Sequence, residues 1–292
     1  MKKQFRQSDK TIKKREDKPF KKGSNKTYKS KQGFSKHNPK KNIVKSEEKP
    51  VIKLTDSIRL NKYIANSGIC SRREADVFIK AGNVKVNGEV MTEMGYQVLP
   101  GDEVRFDNEV INPEVKRYVL LNKPKDFITT MDDDRGRKTV MELVSKATKE
   151  RIYPVGRLDR KTTGLLLFTN DGELAKKLTH PKHNIRKIYH VVLDKNLKAS
   201  DLKSIADPQF KVEDFPVYVD SISYIESTPK NEIGIEIHSG RNRIIRKIFE
   251  SLNYKVVKLD RVIFAGLDKK DLPRGKWRHL TQQEVINLKN IK

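Results

Sequence analysis

Arg157-Leu158-Asp159-Arg160-Lys161 sets one carboxylate among three cations within five residues. A guanidinium or ammonium a few ångströms from a carboxylate favours its charged form. An ionised aspartate can attack an electrophilic carbon or accept a proton, so this segment is a candidate for covalent or general-base chemistry. The flanks read as a strand entering through Tyr153-Pro154-Val155 and a strand leaving through Gly164-Leu165-Leu166-Leu167-Phe168. Asp159 therefore belongs to a loop held at both ends. From spacing alone, a salt-bridged surface turn is the simpler reading.

Other chemistries find little support. The six histidines are scattered and no Cys/His cluster occurs, so no metal site is expected. Asp132-Asp133-Asp134 lies beside Arg135 and Arg137, which oppose a bound cation, and reads as a solvated loop. No phosphate-cradling glycine loop and no nucleophile elbow is present. No cofactor is expected.

The elements around these residues fall into two patterns. Between residues 57 and 112, Leu60 and Ile64 give a short helix its apolar face, and Gly68 ends it. Ser71-Arg72-Arg73-Glu74 is a capping box, followed by the buried stripe Ala75, Phe78 and Ile79 and a stop at Gly82. Val84-Lys85-Val86 before Asn87-Gly88 predicts a hairpin, and Pro100-Gly101-Asp102 turns into a strand bearing Val104 and Phe106. Arg59, Lys62, Arg72, Arg73 and Lys85 avoid the apolar positions, as either a binding face or an ordinary solvated one does.

After a linker at Asn112-Pro113 the pattern predicts strands over 118–121, 152–155, 164–169, 185–193, 217–225, 232–238 and 255–264. Helices are expected over 171–179, 200–206 and 242–252, with a terminal helix after the capping box Thr281-Gln282-Gln283-Glu284. Ile233, Ile235 and Ile237 alternate, as on a strand with one face on a core. Leu165-Leu166-Leu167-Phe168 predicts a central strand buried on both sides. Strands with interspersed helices imply an α+β domain over 117–292 built on one large mixed sheet.

The whole chain carries 63 Lys and Arg against 38 Asp and Glu, a formal charge of +25, which implies a polyanionic partner. Residues 1–50 hold 18 Lys and Arg against 5 Asp and Glu, a net +13, with few aliphatics. Residues 1–56 are thus expected to be a disordered basic arm, drawn to phosphates or merely solubilising. An anionic membrane surface is disfavoured because no long amphipathic basic helix accompanies the charge. No run of about 18 apolar residues predicts a membrane span. The lysine-rich start lacks the apolar stretch of a secretory signal. One cysteine, Cys70, makes no internal disulfide, which fits a reducing cytoplasm.

Two stretches carry a family resemblance. RLNKYIANSGICSRREADVFIKAGNVKVNGEV is similar to the RNA-binding domain typified by ribosomal protein S4. That resemblance implies that the two short helices present Arg59, Lys62, Arg72, Arg73 and Lys85 to RNA, reading shape and phosphate rather than bases. YPVGRLDRKTTGLLLFTNDGELAKKLTHP resembles the signature of the RsuA/RluB-type pseudouridine synthases. Lys187-Ile188-Tyr189 resembles the second motif of that family, and the ten residues from Gly240 to Phe249 resemble the third. Gly275-Lys276-Trp277-Arg278 also fits.

The second resemblance implies that Asp159 is the catalyst, that Tyr189 stacks on the target base and that Arg246 pairs with Asp159. Ile245, Arg157, Arg241 and Arg243 are then the expected substrate contacts. It also implies a ribosomal RNA substrate, preferentially of the large subunit, acted on by a monomeric enzyme without a nucleotide cofactor. A small-subunit substrate is the nearer alternative. A non-catalytic RNA-binding assembly factor is the more distant one, and has no use for Asp159, Tyr189 and Arg246 together.

Overall fold

The computed structural model describes residues 57–291; the expected arm over residues 1–56 lies outside them. The first module opens with β1 (Ile58–Arg59), α1 (Leu60–Asn66) and α2 (Arg72–Lys80). It continues through β2 (Val84–Val86), β3 (Glu89–Val90), β4 (Gln97–Val98), β5 (Val104–Phe106) and β6 (Glu109–Val110). The capping box forms as read: Ser71 N donates to Glu74 Oε2 at 2.6 Å and Glu74 N donates to Ser71 Oγ at 3.3 Å. Asn87 and Gly88, at φ +52° and +88°, make the tight turn between β2 and β3. Leu60, Ile64, Ala75, Ile79, Val84, Val86 and Val104 pack into one small core.

The predicted linker is tied to both sides. Glu114 N donates to Asn66 O at 2.8 Å, and Glu114 Oε2 accepts from Arg151 N at 3.1 Å and Asn170 Nδ2 at 3.3 Å. Gly68 makes room for this carboxylate: a Cβ there stands 2.3 Å from Glu114 Oε1.

The larger part contains β7 (Tyr118–Lys123), α3 (Val140–Val144), β8 (Tyr153–Pro154), β9 (Thr163–Thr169), α4 (Gly172–Thr179) and β10 (Lys187–Leu193). Next come α5 (Ala199–Ala206), β11 (Lys211–Val212), β12 (Phe215–Pro216), β13 (Ser221–Tyr224) and β14 (Glu232–Ile237). The chain ends with α6 (Ile244–Glu250), β15 (Val256–Phe264), β16 (Leu267–Asp268), β17 (Trp277–His279) and α7 (Gln282–Asn290). One nine-stranded sheet runs β13-β14-β10-β15-β9-β7-β17, with β16 beside β15 and β8 beside β9. Its pairings are antiparallel except where β15 meets β9.

β9 alternates between two cores. Leu166 and Phe168 join Val119, Val191 and the isoleucines of β14 and α6 on one face. Leu165 and Leu167 join Leu174 and Leu178 of α4 and Leu288 of α7 on the other. A strand covered on both faces reads as an unbroken apolar run, as this one does.

Several features differ from the sequence expectation, the unanticipated strands β16 and β17 among them. The strand expected over 152–155 shortens to Tyr153–Pro154, although Val155 N still donates to Leu167 O of β9 at 2.7 Å. The strand expected over 217–225 shortens to Ser221–Tyr224, and residues 211–216 form the separate β11–β12 hairpin instead. Helix α3 was not anticipated, although its capping box was legible: Thr139 N donates to Glu142 Oε1 at 2.6 Å.

Candidate active site

A cleft of about 1050 Å³ opens between the loop that follows β8, the middle of β10 and the segment that starts α6. Asp159 is on its rim. Two buried anchors hold the Asp159 loop. Leu158 inserts into the core, and its backbone is clasped by Thr129, whose Oγ1 donates to Leu158 O at 2.8 Å and accepts from Leu158 N at 3.2 Å. Lys123, fully buried at the end of β7, donates from Nζ to Asp159 O at 3.1 Å, Thr162 O at 2.8 Å and Pro124 O at 3.1 Å. Desolvation presses its ammonium down to about 8, against the opposing pull of Asp159 and Asp126.

The crossing of β9 and β15 fixes the other end of the loop. Gly164, at φ +105°, lies so close to β15 that a Cβ would stand 2.3 Å from Arg261 O, so only glycine fits. Next to it, Asp260 accepts from Thr163 Oγ1 at 3.0 Å and from both terminal nitrogens of Arg274 at 3.1 Å, with Lys269 as a further partner.

The other motif residues converge on the same cleft. Tyr189, on β10, is 8% exposed and lines it. Ile245 lines it from α6, and Arg157, Arg241 and Arg243 line it with exposed side chains. Arg243 caps α6 in the left-handed conformation, at φ +52°.

Arg246 departs from the expected pairing. It is buried on α6, and its Nη1 donates to Val256 O at 3.0 Å; it makes no ion pair with Asp159. The Asp159 charge still acts on it, opposing the downward shift that burial imposes on the guanidinium. The reason is geometric: α6 holds Arg246 against β15, whereas the Asp159 loop turns its carboxylate outward. The carboxylate is exposed and makes no hydrogen bond or ion pair among the described residues, so it is open to a ligand.

Two basic residues of the first module also have local partners. Lys62 forms an ion pair with Glu173 of α4, and Lys85 Nζ donates to Asn108 Oδ1 at 3.0 Å. Arg59, Arg72 and Arg73 are exposed and make no ion pair among the described residues. Asp133 is taken by Arg137, which holds its carboxyl down to about 2.

Sequence reasoning missed Lys123 and Arg261. Arg261 is 3% exposed, pairs across the ladder with Tyr189, donates from Nε to Leu165 O at 2.8 Å and stacks its guanidinium 4.4 Å from the Phe264 ring centre. Its Nη2 has no partner although it is buried, and the residue lines the cleft. The legible signal for both was a charged residue inside an apolar strand, which is expensive without a purpose.

With this geometry in view, comparison with known proteins is decisive. A family model for RNA pseudouridylate synthase matches residues 117–251, and one for the S4 domain matches residues 58–104. The ribosomal large subunit pseudouridine synthase B of Bacillus subtilis is 41% identical over 236 residues, covering 80% of this chain and 96% of that protein. The chain belongs to the RNA pseudouridine synthase family. A second relative of this synthase, the dual-specificity RNA pseudouridine synthase RluF of Escherichia coli, is 36% identical and covers 80% of this chain and 78% of that protein. A crystal structure of a pseudouridylate synthase matches the synthase with a TM-score of 0.56 and 30% identity, over 80% of this chain and all of the other.

Proposed function

We propose that this synthase converts one uridine of large-subunit ribosomal RNA to pseudouridine, with Asp159 as the reacting carboxylate. The observation that carries the reading is an unpartnered carboxylate, on a backbone locked by Lys123 and Thr129, at the rim of a cleft floored by Tyr189. The reaction breaks the N1–C1′ bond, turns the uracil and forms the C5–C1′ bond. The proton on C5 is lost and one is gained at N1, so atoms balance without a cofactor.

The target nucleotide must leave its stack, at a cost of a few kcal/mol. Stacking on Tyr189 returns about 1–3 kcal/mol of that. Ile245 supplies an apolar wall, and Arg157, Arg241 and Arg243 face the phosphates at the mouth. Arg246 acts through its field, a buried cation that feels the Asp159 charge without consuming the carboxylate in an ion pair. The exposed arginines of the first module hold flanking RNA.

The large-subunit assignment follows the B. subtilis relative, whose name states that substrate. The enzyme is read as a monomer acting in the cytoplasm without a nucleotide cofactor. No helix among the described residues is long and apolar enough to cross a membrane.

The test is pseudouridine mapping of ribosomal RNA from cells lacking the gene, complemented with wild type or Asp159→Asn. One large-subunit site lost and restored by wild type alone supports the reading. No lost site, or full rescue by the variant, points to a non-catalytic RNA-binding role.

A further inference from the structure

Phe215 and Tyr218 are the only exposed Phe, Tyr or Trp side chains among the described residues, at 59% and 57%. Both belong to the short β11–β12 hairpin and its exit, at the cleft mouth, where Pro216 and Tyr218 join the lining. Their exposure is imposed by structure, because the hairpin is anchored elsewhere. Val212 and Val217 are buried beneath it, Glu213 and Asp214 make its two-residue turn at φ +51° and +65°, and Lys247 of α6 pairs with Glu213 at 2.6 Å. The Arg241 guanidinium lies 5.2 Å from the Phe215 ring centre, and Arg243 is exposed on the same rim.

We propose that Phe215 and Tyr218, with Arg241, form a stacking platform for unpaired nucleobases next to the flipped uridine. The inference rests on the enzymatic reading above and extends it to how flanking nucleotides are held. Flipping one nucleotide uncovers the faces of its neighbours in the strand. Exposed aromatic rings interleaved with cations take such faces whatever the base, since every base has a π-face and every linkage a phosphate. The surface cations argue for nucleic acid over an apolar protein segment.

The experiment compares the full chain with its Phe215→Ala/Tyr218→Ala variant. Equilibrium binding is measured for a single-stranded oligoadenylate and for an abasic ribose-phosphate strand of equal length. Wild type prefers the oligoadenylate by about tenfold, and the variant loses that preference. Phe215→Trp/Tyr218→Phe retains it, whereas Phe215→Leu/Tyr218→Leu, which keeps apolar area without a π-face, does not. On deproteinised ribosomal RNA the alanine variant raises KM by more than it lowers kcat. An unchanged preference in the alanine variant, or a wild-type preference in the leucine variant, overturns the platform. Loss of preference without any pseudouridine formation by wild type leaves the platform standing and removes the enzymatic reading.

Discussion

The ammonium of Lys123 donates to the backbone carbonyl of Asp159 at 3.1 Å, so the residue that stiffens the loop touches the main chain of the acid and leaves its carboxylate free. The same ammonium satisfies Thr162 O and Pro124 O. Lys123→Met leaves these buried carbonyls without a donor. About 3 kcal/mol of stability should be lost in urea denaturation, with a fall in kcat larger than the change in RNA affinity. A variant of wild-type stability and activity rules out this positioning role.

The pH dependence of stability follows from Lys123 and Lys187, both pressed down to about 8 by burial. Between about pH 8 and the ordinary lysine range near 10.4, the unfolded chain binds more protons than the folded one, so stability rises with pH. The gain is fully present above the unfolded value and is lost as pH falls through about 8. Denaturation midpoints at pH 7 and pH 9.5 should show the rise, and Lys123→Met should flatten it.

Gly164→Ala should cost about 3 kcal/mol or more, since it combines a positive φ with a clash against the backbone of Arg261. Thermal unfolding is the check. The loss of the β9–β15 crossing should also displace the Asp159 loop and abolish activity.

Arg261 and Tyr189 face each other across β15 and β10. Arg261→Lys loses the bond from Nε to Leu165 O and the fork that borders the tyrosine. In a double-mutant cycle with Tyr189→Phe, kcat/KM should reveal a coupling of about 1 kcal/mol, and strictly additive effects argue against the link.

In the first module Lys62 pairs with Glu173, whereas Arg72 and Arg73 are exposed. Arg72→Ala and Arg73→Ala should each flatten the slope of log affinity against log salt by about 0.7–0.9. Lys62→Ala should change it less, because Lys62 already pairs with Glu173. Equal effects at the three positions contradict this division.

Much of the architecture was legible in the chain because its causes are local. The capping boxes at Ser71 and Thr281, the Asn87-Gly88 turn and the double-sided run Leu165 to Phe168 each act within a few residues. The order of Asp159, Tyr189 and Ile245 behind an RNA-binding module was legible too, and all three residues meet in one cleft. Tertiary structure decided the rest, because it depends on contacts between residues far apart in sequence. Lys123 grips a loop 36 residues away. Arg261 donates to a carbonyl 96 residues before it. Lys62 is given to a glutamate 111 residues distant. A charge shows its sign in the sequence, but its partner is chosen only when strands from distant segments are laid side by side and burial leaves each ammonium or guanidinium with the acceptors within reach.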